Sequence, residues 1–316
     1  MSSMKRFVIT GANKGIGRAI VKGLLDADKG NFVFLGSRDL SRGQSAADAL
    51  VRENSESYSG RVEVLEIDVS DAVSVDRAAT AVRARLDASS APTATLAGLI
   101  NNAGVALPDF SPSTFGTTVD VNLRGVVRVT DAFLPLLDPV KGRVVVVSSS
   151  SGPSFVANCS VERKALFVDP SVTHAQITAL ADECLSLATS SGSNAGDAAK
   201  AFAAAGLTGA EDNAGYGLTK ALVNMYTVQL AREHPSLVVN SCTPGFIATD
   251  LVKTFEKKFA KTADEMGAKP PSEGAKVPVF LAIGDVPASG WYFGSDCERS
   301  PLDRYRGPGT PAYGGN

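Results

Sequence analysis

The stretch Lys5 to Gly17, Lys-Arg-Phe-Val-Ile-Thr-Gly-Ala-Asn-Lys-Gly-Ile-Gly, leaves this chain few folds to choose from. The apolar run Phe7-Val8-Ile9 ends in glycines spaced G-x-x-x-G-x-G, at Gly11, Gly15 and Gly17, and an amphipathic segment from Ile16 to Ala27 comes at once after them. That order reads as strand, glycine loop, helix. Backbone amides at a helix start can cradle a pyrophosphate only where no Cβ intervenes, and the helix dipole then favours the negative charge. An ordinary glycine-rich turn with no ligand would share this loop, so its meaning depends on the residues downstream of it.

A chain of 316 residues, 44% hydrophobic and 20% charged, can bury a large core and reads as one α/β domain with insertions. A net charge of −2, without a basic stripe interleaved with aromatics, argues against nucleic acid or an anionic membrane as partner. The first strand begins within a few residues of Met1 and no run approaches membrane-spanning length, which predicts a cytosolic protein. Cys159, Cys184, Cys242 and Cys297 lie far apart without metal spacing and are expected to be reduced thiols.

The apolar run Asn31 to Gly36 suits a strand buried on both faces of a parallel sheet. An acidic residue about 20 positions after the glycines would hold the ribose of NAD, whereas an arginine there accepts the 2′-phosphate of NADP. Arg38 occupies that place, with Lys14 in the loop and Arg42 further on, which favours NADPH; Asp39 keeps NAD open. Ser41-x-x-Gln44 reads as a capping box for a helix ending near Ser55. A strand from Arg61 ends at Asp68-Val69, where the carboxylate could accept from an adenine amino group. A helix from Ser74 to Leu86 and a strand from Leu96 to Ile100 lead into Asn101-Asn102-Ala103-Gly104.

After a Pro-rich loop at Ala106 to Ser113, a helical pattern carries Asn122, a mediocre residue mid-helix. Gly142 to Ser149 is the strongest strand signal and delivers serines to the carboxyl end of the sheet, where ligands of doubly wound folds sit. Thr173-x-x-Gln176 opens a helix with apolar residues Ile177, Leu180, Ala181, Cys184, Leu187 and Ala188, and an alanine-rich piece covers Gly196 to Ala205. Tyr216 and Lys220 lie at i, i+4 on a helix running to Glu233, and a nearby ammonium is expected to lower the phenol pKa. A sixth strand, Leu237 to Thr243, ends in Pro244-Gly245, and a Lys-rich helical stretch, Phe246 to Lys269, suits a lid with Leu251, Phe255 and Phe259 lining a pocket. A helix at Ser272 to Ile283 and a strand near Gly290 to Gly294 close the sheet, and residues 295–316 read as an irregular, disordered tail.

Thr10 to Gly17, Asn101 to Gly104, Tyr216-Gly-Leu-Thr-Lys220 and Pro244-Gly245, in this order over roughly Lys5 to Gly294, resemble the short-chain dehydrogenases/reductases. The Gly-Ala-Asn-Lys-Gly-Ile-Gly loop, Ser37-Arg38-Asp39 with Arg42-Gly43-Gln44, and the long insertion before the tyrosine are similar to the NADPH-dependent carbonyl reductase group. The resemblance implies a single Rossmann-type, doubly wound α/β domain over residues 1–294, with about seven parallel strands, a helical insertion at 153–213 and a substrate lid at 246–270. It makes Asn122, Ser149, Tyr216 and Lys220 the catalytic set, with Asn122 holding a water that joins Lys220 to solvent. Four successive serines leave the Ser149 register open by one, and Val146 stands where the family often has asparagine.

Cofactor contacts are implied for Gly11, Asn13, Lys14, Gly15, Ile16 and Gly17, for Arg38, Asp68 and Val69, and for Asn102, Ala103 and Gly104. Tyr216, Lys220, Pro244, Gly245, Ile247 and Thr249 complete that set. No metal is implied. The insertion would cover the surface that other members use to form tetramers, so a monomer is expected. The implied reaction is NADPH-dependent reduction of aldehydes, ketones or quinones, with oxidation of a specific secondary alcohol, or dinucleotide sensing without turnover, as alternatives.

Overall fold

Alternation along the buried strands sets the layering. In the computed structural model, which describes residues 4–88, 94–107, 112–192, 195–208, 214–252, 261–286 and 288–315, Phe7 and Ile9 of β1 (Lys5–Ile9) join one apolar cluster and Val8 joins the other. On β5 (Arg143–Val147), Val145 and Val147 face the first layer and Val144 and Val146 the second. A strand buried on both faces needs no polar alternation, which is why these runs read as continuously hydrophobic.

The chain runs β1, α1 (Gly15–Ala27), β2 (Asn31–Ser37), α2 (Leu40–Glu53), α3 (Ser55–Tyr58), β3 (Val62–Glu66), α4 (Ala72–Asp87) and β4 (Leu96–Asn101). It continues through α5 (Pro112–Val119), a π-helical turn (Asp120–Arg124), α6 (Gly125–Phe133), β5, α7 (Ser151–Ala157), α8 (Val161–Phe167), α9 (His174–Ser190) and α10 (Ala195–Ala204). Then come α11 (Ala214–Glu233), β6 (Val238–Cys242), α12 (Pro271–Ile283), β7 (Tyr292–Phe293) and β8 (Arg299–Ser300). Strand order is β3-β2-β1-β4-β5-β6-β7-β8. All pairs are parallel except β7 with β8. The order reverses between β1 and β4, and the crevice beyond that switch point is where such sheets bind ligands.

The seven parallel strands expected are β1–β7, and an antiparallel eighth, β8, comes from a tail whose composition suggested disorder. Arg299 on β8 stacks between the rings of Trp291 and Tyr313, at 4.1 and 5.2 Å from their centroids. Tyr313 in turn donates its amide to the Arg299 carbonyl at 2.9 Å. Cation–π packing orders a segment that has no apolar periodicity.

The insertion begins as α7 and α8, followed by α9, whose capping box is present as read: Thr173 Oγ1 accepts from the Gln176 amide at 3.3 Å and Gln176 Oε1 from the Thr173 amide at 2.9 Å. Ile177, Leu180, Ala181, Cys184 and Ala188 are buried, and α9 lies against α5, α10 and α11. Of the expected lid helix, 253–260, with Phe255 and Phe259, lies outside the described residues. The described flanks are turns pinned by an Ile247–Lys269 bridge rather than helix. All four cysteines are free thiols, and among the described residues no helix is long and apolar enough to cross a membrane.

One helix start differs from its sequence reading. α2 is capped by Asp39, which accepts from the Arg42 amide at 2.9 Å, and Ser41 and Gln44 lie inside the helix instead of forming a box. Two cap motifs overlap here, and the carboxylate sits at the residue whose backbone is extended, with φ −119° and ψ 112°. Replacing Asp39 by Ala should therefore lower unfolding free energy by about 1 kcal/mol, and Ser41→Ala by less than ~0.5 kcal/mol, in urea titrations of the cofactor-free chain.

Candidate active site

The ends of β1 and β4 are tied together by one threonine and one asparagine. Thr10 Oγ1 accepts from the amides of Asn102 and Ala103, each at 3.0 Å, and the Asn102 carboxamide donates to the carbonyls of Thr10 and Gly11 at 2.9 and 3.1 Å. Gly11 and Gly15 adopt φ of +62° and +53°, open to glycine without strain. A Cβ on Gly17 would stand 2.3 Å from the Gly11 carbonyl and 2.6 Å from Asn102 Nδ2, so the loop closes only around a glycine. α1 starts at Lys14 without any side-chain cap, which leaves its first amides and the positive end of its dipole facing the crevice. These are the features an anionic dinucleotide bridge requires, and the residues present fit such a cofactor.

The segment after β6 folds back over this loop. Gly245 turns at φ +90°, and a Cβ on Gly274 of α12 would press on both Ile247 and Ile16. A Cβ on Gly15 would lie 3.2 Å from the Thr249 methyl. Lys14 reaches Asp250 at 2.6 Å in an exposed pair, so the lysine read as a phosphate partner is shared with a neighbouring carboxylate. Half-buried Asn13 and exposed Gly104 border the same crevice.

At the end of β2, Arg38 is exposed and forms no ion pair with a described residue. Arg42 lies 3.5 Å from the capping Asp39. Asp68, with buried Val69 beyond β3, accepts from the Ser70 amide and hydroxyl at 2.9 and 2.6 Å. Burial would raise its pKa, but the Ser70 bonds and the charges of Arg38 and Arg128 outweigh that and hold it below the usual carboxylate value.

The second half of the site lies where β5 and α11 meet. Ser149 neighbours Tyr216 and acts to lower its pKa, while its Oγ accepts from the Ser151 amide at 3.2 Å. Ser148 is buried with its hydroxyl on the Lys220 carbonyl at 3.2 Å, and Ser150 faces a cavity. Lys220 is 5% exposed and donates from Nζ to the Val147 carbonyl at 2.8 Å. Its ammonium lies 5.6 Å from the Tyr216 ring centroid. Burial pushes the lysine pKa down to about 8 and the phenol up to about 12, the latter only partly offset by Ser149. The expected lowering of the phenol by the ammonium does not appear: desolvation raises it, and the group acting against that is Ser149.

Asn122 sits in the π-helical turn, fully buried. The turn widens the helix by one residue, the mark of a π-bulge, and aims the carboxamide at the loop beyond β4. Asn122 Oδ1 accepts from the Val105 amide at 2.9 Å, and Nδ2 donates to the Val105 carbonyl at 2.8 Å and to Thr219 Oγ1 at 3.1 Å. Thr219 passes the chain on to the Tyr216 carbonyl at 2.8 Å. A Cβ on Gly104 would lie 3.2 Å from Asn122 Oδ1 and 3.5 Å from Lys220 Nζ, which places both groups around one point of the backbone.

Thr10 and Thr219 stand inside the quoted motifs Thr10 to Gly17 and Tyr216 to Lys220 but had no role assigned from sequence; their bonds exist only once β4 and the π-helical turn lie beside them.

A cavity of about 460 Å³ is lined by Ser150, the residue after Ser149, and by Ser154, Thr243, Pro244, Gly245 and Phe246. Lys269, Glu273 and Ser295 also line it.

The family model described as short chain dehydrogenase matches residues 5–161. Carbonyl reductase (NADPH) 1 of Rattus norvegicus is 31% identical over 288 residues, covering 87% of this chain and 90% of that relative. Salutaridine reductase from Papaver somniferum has a similar fold, with a TM-score of 0.72 at 24% identity over 91% of this chain and 99% of that one. Menthone neomenthol reductase from Mentha piperita has a TM-score of 0.69 at 24% identity, over 93% and 99%. The chain belongs to the short-chain dehydrogenases, oxidoreductases built on a doubly wound dinucleotide-binding sheet. Within that family it is of the carbonyl reductase type.

The Gly17 contacts yield an expected outcome: Gly17→Ala forces the Gly11 carbonyl and the Asn102 carboxamide apart and should cost about 1–3 kcal/mol of stability in urea titrations.

Proposed function

We propose that this chain reduces carbonyl compounds, aldehydes, ketones or quinones with apolar or aromatic bodies, to alcohols with NADPH. The observation that carries the reading is the buried Lys220 ammonium 5.6 Å from the Tyr216 ring on one helix, in a fold whose first helix has an uncapped, glycine-opened start. The reduced nicotinamide, when bound, supplies hydride. Everything else falls to the chain.

Tyr216 gives its phenolic proton to the oxygen that gains charge, and Ser149 donates a second hydrogen bond to the same oxygen. With the phenol near 12 and the lysine near 8, both hold their protons at neutral pH, the state needed for an acid in the reductive direction. Lys220 carries the proton that restores Tyr216. Asn122 keeps one lone pair of Oδ1 free beyond its bond from Val105, which suits a water on the path from Lys220 to solvent. Gly11, Asn13, Gly15, Ile16 and Gly17 hold the pyrophosphate, Thr249 adds a contact to it, and Pro244, Gly245 and Ile247 back the nicotinamide. Asn102, Ala103 and Gly104 border the cofactor, with Asp68 and Val69 at its adenine end.

NADPH is favoured over NADH by Arg38, exposed and without an ion-pair partner among the described residues, and by Asp39, whose carboxylate is engaged as the cap of α2. Lys14 adds positive charge nearby. Helices α9 and α10, laid over the α5 and α11 side, support a monomer, which light scattering would read as one 32.7 kDa species. A cytosolic enzyme acting on small molecules is consistent with this reading.

Two measurements check it. NADPH oxidation with a panel of quinones, aromatic aldehydes and ketones should show turnover that Tyr216→Phe reduces by about 10²–10⁴-fold; equal rates in the variant would defeat the acid role. Arg38→Asp should weaken NADPH binding far more than NADH binding in fluorescence titrations, and equal loss of both would remove Arg38 from the 2′-phosphate site.

A further inference from the structure

The carboxyl-terminal segment does more than extend the sheet. Tyr305, Arg306 and Pro308 line the same cavity as Ser150, Thr243 and Phe246. Among the described residues, the large hydrophobic side chains left exposed include two aromatics, Phe246 at 42% and Tyr305 at 57%. Both belong to this cavity. An aromatic ring left in water at the mouth of a pocket, when the other described aromatics are at least partly covered, marks a binding surface.

Tyr305 is held there by a built device. Arg306, with its side chain 7% exposed, pairs with Asp296, donates from Nε to Ser300 Oγ at 2.9 Å and from Nη1 to the Thr310 carbonyl at 2.6 Å. Asp296 also accepts the Gly309 amide at 2.9 Å, so one ion pair closes residues 296–310 into a loop. The clasp presses against β7: a Cβ on Gly294 would lie 2.6 Å from Asp296 Oδ1 and 2.7 Å from Arg306 Nη2. One residue earlier, the Phe293 carbonyl accepts the amide of Thr243, a cavity residue, at 2.9 Å. Position therefore runs from β6 through β7 to the clasp and Tyr305 without a gap.

We propose that residues 295–310 form a wall of the substrate pocket and that Tyr305, positioned by the Arg306–Asp296 clasp, is a specificity-determining residue selecting carbonyl compounds with a flat aromatic or conjugated body. This rests on the reductase reading above. A ring on this wall stacks on a flat conjugated body, and a short aliphatic aldehyde offers none.

The test uses the full-length chain saturated with NADP, and compares it with Tyr305→Ala, Tyr305→Phe and Asp296→Asn. Naphthol, an aromatic alcohol, is titrated by calorimetry, and turnover of naphthaldehyde is set beside that of propanal with NADPH. Tyr305→Ala should weaken naphthol about three- to tenfold and raise the naphthaldehyde KM by a similar factor, with kcat and all propanal constants within about twofold. Tyr305→Phe should behave as the unaltered chain, and Asp296→Asn should weaken naphthol in the same direction as Tyr305→Ala. Naphthol bound equally well by the unaltered chain and Tyr305→Ala, no naphthol binding at all, or a propanal loss matching that of naphthaldehyde would each overturn the proposal. Absence of turnover on every carbonyl would instead overturn the reductase reading, and the naphthol titration would still decide the role of Tyr305.

Discussion

The close approach of the glycine loop to the end of β4 is the constraint on which the site depends. Asn102 donates to two carbonyls of the loop, Thr10 accepts two amides from the strand end, and the absent Cβ of Gly17 lets them meet. Each such bond contributes on the order of 1 kcal/mol net, but a buried group left without its partner costs more. The arrangement therefore holds as a unit or not at all. It points the uncapped start of α1 at the crevice, and the segment carrying Ile247 and Thr249 packs down on the loop it has shaped.

Desolvation governs the chemical half of the site. Burying an ammonium is expensive unless it is bonded, and Lys220 has one carbonyl, that of Val147, to hold it. The result is a lysine near 8 beside a phenol near 12, two protonated groups a helical turn apart. The π-helical turn is part of the same construction. By inserting a residue into the helix between α5 and α6 it buries Asn122 where its carboxamide can bind Val105 and Thr219 together, linking the loop after β4 to the helix of Tyr216.

The cavity is shared between elements distant in sequence. One side comes from the strand ends and the Pro244–Phe246 turn, and the other from a tail that ion pairing and arginine stacking hold in place. Such a division leaves the strand ends on the rigid sheet and gives the walls to loops, the part of a fold that varies most readily.

Local pattern was enough for the strand–glycine–helix opening, the continuous apolar strands, the α9 capping box and the pairing of Tyr216 with Lys220 on one helix, because each depends on residues within a few positions of one another. Overlapping cap motifs hid Asp39 behind Ser41, since only backbone geometry shows which residue is the extended one. The π turn was foreshadowed by an awkward Asn122 and no more. What the sequence alone determined was the doubly wound sheet and the glycine loop, carried by short-range periodicity and spacing, and the family, carried by the resemblance of four ordered motifs. The tertiary structure decided the burial of Lys220, the direction of the phenol's pKa shift and the ordering of the tail. Burial and long-range pairing, such as Arg306 with Asp296 behind Gly294, exist only once distant segments are brought together.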